Sequence, residues 1–502
     1  MSILKFTRRT VLAVTAAATM AFILPAHAQT PPDVLIVGQI AEPKSLDPAA
    51  VTAVNDFRIL MNVYDGLVRY KDGTLEVEPS LATNWEISED GTEYMFTLRE
   101  DVKFHDGSDF NAEAVKFNFD RMLKDDHPFH DTGPFPLSFF FSAVESVEAV
   151  DAKTVRFKLN APYAPFLSNL AYPTGLIVSP SAVEKHAKEF GRNPSGTGPF
   201  KFAEWKSNER VVIEKNPNYW DGAAGMQAIV FRPITDANTR TAEMLAGGID
   251  LMVEVPPVAL SQFKGDQFKV VEQAGPHLWF LILNAKEGPF ADKKVRQAAN
   301  YAINKTALVN DVLEGTAEVA AGPTPPAFAW AYDESLEPYP YDPEKAKALL
   351  KEAGAEGVEL TFYVTEGGSG MLDPIAMGTA IQADLQAVGL KVNIETYEWN
   401  SFLGKVNPGL EGKADMAEMA WMTNDPDTLP YLALRSGAFP SEGGFNSGYY
   451  SNPEVDKLLE NARIATDQGE RAKLYKEMQQ IVHDDAPWVF VANWKQNAVT
   501  SA

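Results

Sequence analysis

The sequence predicts an α/β fold, with short strands and helices interleaved along the chain and packed in layers. Three observations carry that expectation. Stretches with apolar residues at every second position recur, helix-length stretches with capping residues lie between them, and no repeat period orders the two. Residues 92–98 alternate, with Tyr94, Phe96 and Leu98 on one face; Val155, Phe157 and Leu159 repeat the pattern, as do Val34 and Ile36. Asn111 is placed to cap a helix whose inner face holds Val115, Phe119 and Met122. Asp342-Pro343-Glu344 joins a cap to a proline at the first helical position, and Gly354 closes that helix. Asn452-Pro453-Glu454 repeats the device ahead of Val455, Leu458 and Leu459, and Asp292 caps a helix holding Val295, Ala299 and Ile303. Turn-rich stretches at 193–199, 321–326, 367–370 and 439–448 are candidate boundaries or surface loops.

The chain has 502 residues, 45% of them hydrophobic, enough for two or three domains with their own cores. Its 44 Lys and Arg stand against 68 Asp and Glu, and the formal charge of −24 argues against nucleic acid as a partner. The absence of cysteine removes disulfides, thiolate metal sites and cysteine nucleophiles. Residues 1–28 read as an export signal. Lys5, Arg8 and Arg9 form a basic start, 11–24 is apolar, and Ala26-His27-Ala28 is a cleavage site. Thr7-Arg8-Arg9-Thr10-Val11-Leu12 also fits a loose twin-arginine signal. The apolar stretch is too short for a bilayer core of about 30 Å, and no later run reaches the roughly 18 apolar residues of a membrane helix. Cleavage removes three positive charges and takes the net charge from −24 to −27. An exported, unanchored, soluble product is expected.

No constellation in the chain reads as catalytic. Pro128 disfavours a helix through Asp125-Asp126-His127-Pro128-Phe129-His130-Asp131, so the cluster reads as a solvated acidic loop. The rival reading is a secreted metal-dependent hydrolase built on His127 and His130. His483-Asp484-Asp485 offers a His–carboxylate pair only if the side chains face each other. No G-x-S-x-G elbow, H-E-x-x-H helix or P-loop occurs, and Gly196-Thr197-Gly198 is too weak for a phosphate cradle. Neither a cofactor, a metal nor a catalytic residue is expected.

Several motifs in a fixed order resemble one family. They are Glu42-Pro43-Lys44-Ser45-Leu46-Asp47-Pro48, Tyr64-Asp65-Gly66-Leu67-Val68, and a long block from Pro79 through Trp85, Asp90-Gly91 and Leu98-Arg99. That block runs on through Val102-Lys103-Phe104-His105-Asp106-Gly107 to Phe110-Asn111-Ala112-Glu113-Ala114-Val115 and Phe119. Gly196-Thr197-Gly198-Pro199-Phe200, Asn216-Pro217-Asn218-Tyr219-Trp220, Val295-Arg296-Gln297-Ala298, Ala302-Ile303-Asn304-Lys305 and Tyr341-Asp342-Pro343-Glu344-Lys345-Ala346 follow. Together they resemble the family 5 extracytoplasmic solute-binding proteins of ABC importers for peptides, nickel complexes and opines.

The resemblance implies a two-lobed periplasmic binding protein of type II, in its large three-domain form, that closes by a hinge and performs no chemistry. Lobe I would comprise 29–67, 195–275 and 484–502, an extra domain 68–194, and lobe II 276–483. The chain would cross between lobes near 274–281 and 483–488. Members of this family continue past the strand suggested by 489–494. The implied partners are a small-molecule or peptide ligand and the permease subunits of an importer, with the protein itself a monomer.

For the ligand, the resemblance places Trp399, in Tyr397-Glu398-Trp399, and Trp421 as aromatic platforms. Peptide binders carry an aspartate three residues after the later tryptophan, to pair with the ligand's ammonium. Here that position is Asn424, with Asp425 next to it. The arginine that clamps the carboxylate of dipeptides is also missing, since 371–380 holds no Arg or Lys. Thr52 sits where relatives touch ligand from lobe I. The expected ligand is therefore a peptide or peptide-like solute larger than a simple dipeptide, held by Trp399, Trp421, Thr52 and either Asn424 or Asp425. A nickel chelate, an opine or an oligosaccharide is the alternative within the family, and a holdase for unfolded chains is a third use.

Overall fold

One strand, Trp488–Ser501, ties the two halves of the protein together in the computed structural model, which describes residues 31–367 and 370–501. Its first part, Trp488 to Ala492, pairs antiparallel with His277–Leu283; its last part pairs with Leu251–Val253 and Phe268–Ala274. A 12-stranded sheet thus runs through both halves. The predicted export signal lies outside the described residues.

Each half of the sheet is covered on both faces, as buried α/β sheets require. In one half, Trp279, Leu281 and Leu283 point into a core with helices Lys293–Ala302, Pro343–Glu352 and Pro374–Ala387, while Leu278, Phe280 and Ile282 point into another with Tyr475, Met478 and Val482. In the other half, Val37 packs with Phe57, Leu60, Ile213 and Phe231 on one face, and Ile36 packs beside Met252 and Val499 on the other. Val34–Gln39 is thus apolar on both faces, which is why the expected one-sided alternation of Val34 and Ile36 does not describe it. A four-stranded antiparallel sheet (Ala82–Ile87, Glu93–Leu98, Thr154–Leu159, Val144–Asp151) carries a separate core under helix Ala112–Leu123. Tyr94, Phe96, Leu98, Val155, Phe157 and Leu159 all point into it, as the alternation predicts.

The predicted caps form. Asn111 accepts from Ala114 N at 3.0 Å, Asp342 from Lys345 N at 2.9 Å, Asn452 from Glu454 N at 2.9 Å and Asp292 from Lys294 N at 2.7 Å. Packing around two of the expected boundaries is as follows. Val178, Ala182, Val183 and Phe190 join the core of Val37 and Phe57, so 178–194 packs with the first half and not with the four-stranded sheet. Trp488 to Ala492 pack in the cores of the second half, so the return crossing falls at 493–495, after the expected 483–488. A continuous strand gives no turn signal, so that crossing left no mark in the sequence.

The outward crossing, Gly275-Pro276, and the return at Trp494 meet at one ring pair. His277 is buried edge-on to Trp494, with centroids 5.3 Å apart, and its carbonyl accepts from Asn493 Nδ2 at 3.0 Å. Burial pushes the His277 imidazole down to about 4. The unfolded chain takes up a proton near pH 6.5 that the folded protein refuses until about pH 4, so His277 costs stability as pH falls through that window. Asp56 and Asp427, pushed up to about 6 by burial, act with the opposite sign. The informative quantity is therefore the difference between parent and variant. His277→Gln is expected to remove up to about 3 kcal/mol of the parent's acid destabilisation between pH 6.5 and 4. Urea titrations at stepped pH measure it, and parallel curves for the two proteins would refute it.

Candidate functional site

A cavity of about 350 Å³ lies between the two halves, within the size range of small-molecule sites. Thr52, Val54, Leu137, Phe139, Phe140 and Tyr172 form one wall. The opposite wall comes from residues 280–488 and is dominated by Trp399, Trp421, Phe445, Trp488, Phe280 and Met419.

Local structure explains how each predicted residue arrives there. Asp47 accepts from Ala49 N at 3.1 Å and starts the turn Pro48–Ala50, which delivers Thr52, exposed, just ahead of helix Val54–Val63. Trp399 opens helix Trp399–Val406. Glu398 caps that helix by accepting from Asn400 N at 2.9 Å and Ser401 N at 3.2 Å, and the Trp399 ring stacks on Phe402 at 5.8 Å. Trp421 lies on strand Met416–Met422 opposite Leu278, and its ring meets Phe445 edge-on at 5.3 Å.

Asn424 lines the cavity, yet its amide is engaged. Its Nδ2 donates to Asn169 Oδ1 at 2.7 Å, and its Oδ1 accepts from Thr428 at 3.0 Å. Asp425 does not reach the cavity. It is 1% exposed, and its carboxylate accepts from Arg471 at 2.7 Å, Ser168 Oγ at 3.0 Å and Asp427 N at 2.9 Å. Of the two alternatives for the ammonium partner, Asn424 lines the cavity, while Asp425 is paired with Arg471. Asp427 is likewise paired with Arg463 at 2.7 Å.

These same contacts close one edge of the cavity. Asn424–Asn169 and Asp425–Ser168 join the two walls, Ala164 N donates to the Arg463 carbonyl at 2.8 Å, and the Arg463 guanidinium lies 4.6 Å from the Tyr163 ring. Asn169 also donates to the carbonyl of Phe140, a wall residue, at 2.8 Å.

The other sequence candidates have structural roles. The His130 ring donates to the Arg121 carbonyl at 2.9 Å, and His127 accepts from Phe129 N at 3.2 Å. Among the described residues, no group of three or more His, Asp or Glu is placed to hold a metal. His483 stacks on Tyr339 at 4.3 Å, while Asp484 and Asp485 pair with Lys293. The turn 439–448, a candidate boundary, instead supplies Phe445 and Ser447 to the cavity. The sequence reading did not single out Phe139 and Phe140, whose only mark in the sequence is the run Phe139-Phe140-Phe141; in the structure Phe139 is 48% exposed, an unfilled apolar surface.

Comparison with known proteins decides the family. The model of the bacterial extracellular solute-binding proteins, family 5, matches residues 76–442. The chain belongs to this family. It is 36% identical to heme-binding protein A of Haemophilus influenzae over 86% of this chain and 81% of that one. It is 33% identical to di/tripeptide-binding protein 2 of Pseudomonas aeruginosa over 94% and 92%. Among solved structures, the periplasmic binding protein DppA from Helicobacter pylori, in complex with the peptide STSA, superposes with a TM-score of 0.78 at 34% identity, covering 93% and 94%. The two-lobed type II fold of family 5 is thus the fold of this protein. The family is one of solute-binding proteins, and among the described residues no helix is long and apolar enough to cross a membrane.

Proposed function

We propose that the protein is the periplasmic solute-binding component of an ABC importer, capturing a peptide or peptide-like solute larger than a simple dipeptide and delivering it to a permease. The observation that carries this reading is the position of the cavity. It is lined from both lobes, which two chain crossings connect, so a solute inside touches both and favours the closed form. Trp399 and Trp421 are the stacking platforms, and Asn424 and Thr52 supply polar contacts. The di/tripeptide-binding relative and the peptide-bound neighbour favour a peptide. Residues 1–28 direct export, lobe I with its extra domain and lobe II are the closing bodies, and the protein acts as a monomer without chemistry of its own.

Native mass spectrometry of freshly purified protein, before and after partial unfolding and dialysis, tests this. An organic solute of peptide mass, released on unfolding, is expected, and the emptied protein should gain several degrees in Tm when peptides are added back. A retained metal ion with no organic solute, together with a Tm that no peptide raises, would contradict the proposal.

A further inference from the structure

We infer that this cavity selects its solute by the absence of charge, taking uncharged, aromatic-rich molecules such as end-blocked or cyclic hydrophobic peptides and rejecting zwitterions. The inference rests on the reading of the cavity as the solute site. Among the described residues that line it there is no carboxylate, ammonium, guanidinium or imidazole, and the polar members are Thr52, Asn407, Asn424, Thr428, Ser447 and Tyr172.

Four carboxylates adjoin wall residues in sequence: Glu398 caps its own helix through Asn400 N and Ser401 N, Glu418 accepts from Thr365 N at 2.8 Å, and the other two are paired with arginines. Asp425 faces Arg471, and Asp427 faces Arg463. Asn424 donates one amide hydrogen to Asn169 and accepts from Thr428, which leaves a neutral group with little spare capacity. A ligand ammonium entering here would lose its water and meet no counter-charge, and a ligand carboxylate would meet no cation. Such a wall does not offset the desolvation of an ion. It suits apolar rings instead, because Trp399, Trp421, Phe445, Phe139 and Phe140 offer faces and edges from both walls.

The test uses the full chain, emptied by partial unfolding and refolded, in calorimetric titrations at pH 7. The probes are di- to tetrapeptides containing Phe, Leu and Trp, each made with free ends, with one end blocked, and as the N-acetyl amide. The doubly blocked member of each set is expected to bind at least tenfold tighter than its zwitterion, with singly blocked peptides between. Equal or tighter binding of the zwitterions would overturn the inference and leave the solute-binding reading intact. No binding by any member of any set would overturn the inference and the peptide reading together.

Discussion

Replacing Arg121 by alanine is expected to lower the stability of the protein by about 3–5 kcal/mol, the usual cost of leaving a buried charge without its partner. Arg121 is 1% exposed, on helix Ala112–Leu123, and its guanidinium makes two parallel hydrogen bonds of 3.0 Å to the two oxygens of Asp47. The Phe135 and Phe190 rings lie 5.3 and 5.8 Å from the guanidinium carbon, so no water replaces the lost cation readily. The alanine variant strands the Asp47 carboxylate in that apolar surround. Asp47→Leu combined with Arg121→Met removes both charges and should be less damaging than Arg121→Ala alone. Urea unfolding measures all three proteins, and a loss below about 1 kcal/mol for Arg121→Ala would refute the argument. The pair also bears on the site. Asp47 starts the turn that delivers Thr52, so the alanine variant should loosen that wall of the cavity.

The motifs that reveal the family turn out to be bonds between distant parts of the fold. Asp65, Thr197, Tyr219 and Trp220 belong to three separate motifs. In the structure Thr197 Oγ1, Tyr219 OH and Trp220 Nε1 all donate to the Asp65 carboxylate, at 2.7, 2.9 and 3.0 Å. Gly196 and Gly198 are glycines because a Cβ would stand 2.2 Å from the Val63 carbonyl oxygen and 2.6 Å from its carbonyl carbon, respectively. The loop they form crosses closely over residues 62–64 of the same chain, which agrees with its weakness as a phosphate cradle. Strands, helices and caps were legible because each rests on spacing within a few residues. The cavity was legible only in part. Trp399 and Trp421 stand out as large rings in recognisable stretches, but Phe140, Tyr172 and Phe445 become wall residues only when segments hundreds of residues apart meet. The pairing of Asp425 with Arg471, 46 residues further along, likewise depends on how distant segments meet and left no local sign.

Trp421→Ala is expected to weaken solute binding by about 2 kcal/mol or more, roughly thirtyfold, with most of the change in the rate of release. The ring stands near the end of strand Met416–Met422, with Met419, Met422 and Asn424 lining the same cavity. It is half-buried, and it rests on Phe445, itself 37% exposed, so its loss should cost affinity more than folding. Trp399→Ala makes the contrast. That ring packs against the cores on both faces of its half of the sheet, so its removal should lower Tm as well as affinity. Trp421→Phe retains an aromatic face and should recover most of the lost binding. Stopped-flow release of the co-purified solute, run beside thermal melts, separates the two effects. An affinity of Trp421→Ala within threefold of the parent would show that this ring packs the wall without holding the solute.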